Sequence, residues 1–167
     1  MDATGVSVNG ALYDVSFQDG TCISLFGGCD EPSDFFIPDI ATGEAANAAL
    51  LEQVFIDTQA GQFDTIPGLT NGCGGATNDF VCNVHSPISD PPPTSSGFAT
   101  SFARNRNLDN LDSSTGFAGW PTDVDFSPRD NLTFAVWSNP VPIPAAVWLF
   151  GSGLLGLIEI ARKKKTG

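Results

Sequence analysis

The residues able to do chemistry in this chain are few and spaced in a telling way. Four cysteines form two local couples, Cys22 with Cys29 and Cys73 with Cys82. An even count in an exported chain reads as disulfides. Three connectivities are open, and the two local ones are the favoured pair. Cys82 and His85 have a spacing usable for zinc, with Cys73 as a third ligand. No second tight couple accompanies them, so no metal site is assigned. His85 is the only histidine. A hydrolytic triad would need it beside a nucleophile and a carboxylate, and no nucleophile-elbow motif occurs. The chain is therefore read as a non-enzyme with no catalytic residues. Acidic loops are the remaining candidates. Asp109 to Ser114 and Asp123-Val124-Asp125 are the best places for calcium, and Asp30, Glu31 and Asp34 are a weaker third. Neither of the two best follows the EF-hand loop: Leu111 stands where a third ligand would be. No cofactor is assigned, with calcium kept as the one candidate cation.

The C-terminal stretch has chemistry of another kind, that of a substrate. Val141, Pro142, Ile143, Pro144, Ala145 and Ala146 form a short proline signature. The prolines disfavour a helix interior and push their predecessors toward extended backbone. An extended strip is what a protease-like enzyme needs. An apolar stretch follows, and then Arg162, Lys163, Lys164 and Lys165. Residues 141–161 as a helix would reach roughly 31 Å, about one bilayer core. Cations after such a span stay cytoplasmic, which would leave the N-terminal body outside. The spacing predicts a single transmembrane helix over 145–161 with a basic end over 162–165. Gly151, Gly153 and Gly156 match G-x-G-x-x-G, but no strand and βαβ unit surround them. That match is set aside.

This tail resembles the PEP-CTERM sorting signal, in the variant reading V-P-L-P-A. The carrying residues are Val141 to Ala146, the run Trp148 to Leu157, and Ile160 to Lys164. Where the usual family member has Glu between its prolines, this chain has Ile143. The resemblance implies a partner, an exosortase-type membrane transpeptidase, which cuts near the proline signature. It also implies a membrane-held precursor with its N-terminus outside. Release to the cell surface or secretion would follow, with a link to exopolysaccharide and biofilm. Residues 141–146 would then be a recognition segment. A leader ahead of residue 1 is expected on the same grounds, since residues 1–5 have no cationic or apolar run.

Charge sets the function classes. Residues 1–140 hold 18 acidic residues against Arg104, Arg106 and Arg129, a net −15, and no lysine at all. Such a surface repels nucleic acid, which needs clustered Lys and Arg. The leading expectation is an exported surface or matrix protein. The alternative is an extracellular carbohydrate- or calcium-binding module, with a secreted hydrolase third. Exposed aromatics such as Trp120 on one face would favour sugar binding.

The elements that must carry these residues are mostly strands. Asn9-Gly10 is a two-residue hairpin signal. Residues 11–18 alternate with one apolar face. A three-residue loop ending at Gly20 would set Val15 beside Ile23 and Tyr13 beside Leu25. Residues 44–55 read as the one helix of the body, with Thr42 as cap and Leu50, Leu51, Val54 and Phe55 as core face. Strands are expected over 80–85, 98–103 and 132–137, with 108–120 looser. The expected fold class is α+β: one mostly antiparallel β domain over 1–140 with one packed helix, plus the C-terminal single transmembrane helix in 141–167.

Overall fold

The structure is a computed structural model and describes residues 2–74, 80–108 and 111–140. Asn9 and Gly10 make the first turn. Both have positive φ, 51° and 83°, as a type I′ hairpin requires. Val8 pairs with Ala11 across them, closing β1 (Asp2–Val8) onto β2 (Ala11–Gln18).

The expected second hairpin does not form. β2 pairs instead with β8 (Leu132–Ser138), placing Val15 opposite Trp137 and Phe17 opposite Ala135. The segment after β2 becomes a short helix, α1 (Cys22–Phe26). Its cause is local: the Thr21 hydroxyl accepts the Ser24 N–H and caps the turn, as a hydroxyl at a helix start does.

The long helix, α2 (Ile40–Gln53), starts four residues earlier than expected. Asp39 is its cap, accepting the Thr42 N–H at 2.7 Å. Thr42 lies inside the helix. Ala46, Ala49 and Leu50 are buried, as are Val54 and Phe55 just beyond. Leu51 is only partly buried and packs at the rim.

Two short strands follow, β3 (Asp57–Thr58) and β4 (Gly61–Gln62), and then β5 (Val81–Ile88), β6 (Phe98–Arg106) and β7 (Ser113–Trp120). The main sheet has six strands in the order β1-β2-β8-β5-β6-β7. All its pairs are antiparallel except β5 with β8, which run parallel over Asn83–His85 and Leu132–Phe134. β5 is central, and every residue in it after Val81 is buried. Such strands lose the alternating pattern that sequence reading depends on.

Each sheet face is covered. On one, α2 touches β6, β7 and β1, so a single helix reaches both edge strands. That face buries Val15, Phe17, Leu50, Phe55, Val84 and Ile88. On the other, Phe26 of α1 packs on Phe134, and Phe35, just after the turn at Pro32–Asp34, packs on Phe98. Phe126 stacks on Phe134 with 4.1 Å between ring centres.

The fold class is thus mostly β with one long helix, and the expectation of a C-terminal transmembrane helix is corrected. Among the described residues no helix is long and apolar enough to cross a membrane. The longest, α2, has 14 residues, about 21 Å of rise against roughly 30 Å of hydrocarbon. Residues 145–161, where the span was expected, lie outside the described residues.

Candidate functional site

The two local disulfides are formed. Cys73 and Cys82 are joined with an S–S distance of 2.05 Å, and Cys22 and Cys29 with Cα atoms 6.1 Å apart. No free cysteine remains. The first bond ties the turn after Pro67–Leu69 to β5. The second closes α1 onto the following loop, where Cys29 has φ 105°.

The zinc arrangement is excluded by the same geometry. Cys73 and Cys82 are bonded to each other. Cys82 and His85 are three apart on a strand, so their side chains leave opposite faces. Cys82 packs on the α2 side. His85 lies on the other side, ringed by Phe102, Trp120 and Phe126 at 4.8–5.3 Å.

His85 is 2% exposed. Its Nδ1 accepts the Trp120 indole N–H at 3.3 Å and lies 2.9 Å from the Thr100 hydroxyl. Burial, and then the charge of Arg104, lower its pKa from 6.5 to about 3. It is a neutral packing histidine at physiological pH. The nearby serines are engaged elsewhere: Ser86 accepts the Trp137 indole N–H at 2.9 Å, and Ser101 accepts from Asn47. The one hydroxyl shown at the imidazole among the described residues, that of Thr100, is fully buried and donates to the Ala118 C=O at 3.4 Å, so it is walled off from any substrate.

The acidic loops have local tasks. Asp34 Oδ2 accepts the backbone N–H groups of Cys29, Asp30 and Glu31 at 2.7–3.2 Å. These bonds, led by that of Cys29, hold its pKa below the usual carboxylate value against the effect of burial. Asp112 Oδ1 accepts the Arg106 N–H at 2.7 Å. Asp125 Oδ1 accepts the Ser127 N–H at 2.9 Å, which lowers its pKa. Residues 109 and 110 lie outside the described residues. Among the described residues, no three His, Cys, Asp or Glu side chains gather as a metal site.

One carboxyl behaves differently. Asp19 is exposed overall, but its carboxyl turns in against Gly72 and the buried Thr133. Partial burial, and then the like charge of Asp125, raise its pKa. Sequence reading missed this group, because Asp19 reads as an ordinary turn residue beside Gly20.

Two open grooves of about 450 Å³ mark the surface. One is lined by Pro91, Pro92, Phe98, Phe117 and Trp120, with no titratable group. The other runs between Phe26, Phe35, Phe36 and Trp137; its one carboxyl, Asp34, is committed to the backbone. Neither holds a converging carboxylate pair of the glycosidase kind. Phe117 and Trp120 are three apart on β7 and so leave opposite faces. They do not form a single flat platform for a sugar.

The recognition segment Val141, Pro142, Ile143, Pro144, Ala145 and Ala146 lies outside the described residues. The last described strand, β8, runs to Ser138, two residues short of Pro140. No family model, curated protein or solved structure matches the chain. The resemblance of its tail therefore rests on the residues quoted above.

Proposed function

We propose that this chain is an exported surface or extracellular-matrix protein, without enzymatic activity, delivered through its C-terminal proline signature. The single observation that supports it best is the pair of closed disulfides in a domain with no free cysteine. Such bonds persist in oxidising spaces and are rare in the cytosol. The acidic, lysine-free body agrees, since it disfavours nucleic-acid partners. The committed states of His85, Ser86, Ser101 and Asp34 also agree, because each obvious reactive group already serves the fold.

In this reading residues 141–146 are the strip bound by an exosortase-type transpeptidase. β8 leads almost directly into them, so the acidic body would be presented at the processing site on a short tether. A role in exopolysaccharide or biofilm assembly is the class of work such delivery serves.

The test is a Pro142→Ala, Pro144→Ala double variant of the full chain, expressed in a host with the processing enzyme. The expected result is loss of the released, shortened product. Release at the same rate and length as the parent would overturn the proposal.

A further inference from the structure

The groove where β6 begins and β7 ends has no task in the packing of the fold. Ala99 and Gly119, register partners across the two strands, form its floor. A Cβ built on Gly119 would meet nothing within 4 Å, so the space above the floor is open. Pro91 and Pro92, which follow β5, line one side, and Phe117 of β7 lines the other. Both prolines are exposed, and Phe117 is 52% exposed. No charged side chain lines the groove.

Sheet register says which part of the chain can reach it. His85 is level with Phe134 across the parallel pair, so Ile88 is level with Trp137. Ile88 lies opposite Ala99 on one side and is bridged to Ile37 on the other. Trp137 is thus four strand spacings from Gly119, about 19 Å. Extended chain covers about 3.3 Å per residue, so Pro142 to Pro144 come roughly 16–23 Å after Trp137. The proline signature therefore has the length to lie across this floor. It carries no charge from Val141 to Ala146, as the groove carries none. The second groove, beside Trp137, is nearer, but it holds the Asp34 carboxylate. A strip entering it would also have to reverse direction within residues 138–140.

We propose that this groove is a docking site for residues 141–146 of the same chain, the strip carrying Pro142 and Pro144. Proline-rich segments bind in grooves lined by aromatic rings, and their stiffness keeps the entropic cost of binding low. Phe117 supplies the ring, and the side-chain-free floor at Gly119 lets a proline lie close. Docking would hide the strip from any enzyme that needs it extended and free. Groove and transpeptidase then compete, and the enzyme's apparent affinity falls with the fraction of strip left undocked. This masking role rests on the sorting proposal, whereas the docking itself does not.

The test is photocrosslinking of the full chain in a host without the processing enzyme, with p-benzoylphenylalanine replacing the exposed Phe117. The expected adduct, mapped by mass spectrometry, joins position 117 to residues 141–146 within one chain. Gly119→Val fills the open floor without meeting a neighbour, so it should fold normally and remove the adduct. The same probe at Phe36, in the second groove, should give no adduct with 141–146. No adduct from position 117, an adduct between two copies only, an adduct from position 36 instead, or one unchanged by Gly119→Val would each overturn the docking. In a host with the enzyme, Gly119→Val alone should speed release of the shortened product by roughly 3–10-fold. Unchanged release beside a clear adduct in the parent would overturn the masking role. Normal release of the double proline variant beside that adduct would overturn the sorting proposal and leave the docking standing.

Discussion

Gln53 and Ser7 exchange two hydrogen bonds. The Ser7 N–H donates to Gln53 Oε1 at 2.9 Å, and Gln53 Nε2 donates back to the Ser7 C=O at 3.0 Å. The side-chain amide behaves as one residue of a further strand. It closes the outer side of β1, an edge that would otherwise offer free backbone groups to another chain. At the opposite edge Asn47, also on α2, donates to the Ser114 C=O of β7 at 3.0 Å. One helix thus serves as core and as edge guard.

Gln53→Ala should therefore do two things. It should cost about 1 kcal/mol, as two exposed hydrogen bonds are lost. It should also increase self-association, visible as a larger species in light scattering at high protein concentration. Gln53→Glu keeps the acceptor and loses the donor, and should fall between.

The Cys73–Cys82 bond fastens a loop to the central strand. Replacing both residues by serine should lower unfolding free energy by roughly 2–3 kcal/mol, the chain-entropy value for so short a loop. Urea titration reads this directly. The same loss is expected for Cys22 and Cys29, measured in a separate double variant.

His85 gives the protein an acid limb. Its folded pKa, about 3, lies below its ordinary value of 6.5. The unfolded chain therefore binds the proton more readily. The contribution is fully present above pH 6.5 and is lost as pH falls from there toward 3. Urea titrations across that window should show declining stability, and His85→Gln should flatten the slope. NMR of the ring should show no protonation of the folded protein near pH 5.

Asp34 acts in a lower window. Backbone bonds, Cys29 first, depress its pKa below the ordinary 3.8. Its contribution is present above that value and is lost as pH falls through the folded one. Asp34→Ala strands three N–H groups and should cost about 1–2 kcal/mol at neutral pH. Hydrogen exchange at Cys29, Asp30 and Glu31 should speed up accordingly.

Much of the frame was legible from short-range signals. Asn9-Gly10 announced its turn because few other dipeptides tolerate positive φ in succession. The local cysteine pairs and the last strand were legible as well. Partner choice was not. The alternation over Ala11–Gln18 says that one face is buried, but not that β8 lies alongside in place of residues 22–26. Ile23 and Leu25 fit a strand pattern, yet Thr21 caps them into a helix. Ser113–Trp120 looked loose because its glycines weaken strand propensity; pairing with β6 overrides that. The work of Asp34, Gln53 and Asp19 is tertiary, set by groups that meet only on folding. The fold class erred in its last element, where a long apolar run invited a span that the described helices do not supply.

The central claim is that the body sits, oxidised, in a space outside the cytoplasm and arrives there through the proline signature. Intact mass of the protein, collected directly into a thiol-alkylating quench from separated cell fractions, tests both halves at once. The account predicts an extracytoplasmic species with no alkyl adduct and a C-terminus at or near residues 141–146. A full-length chain in the cytoplasmic fraction carrying four adducts would contradict it.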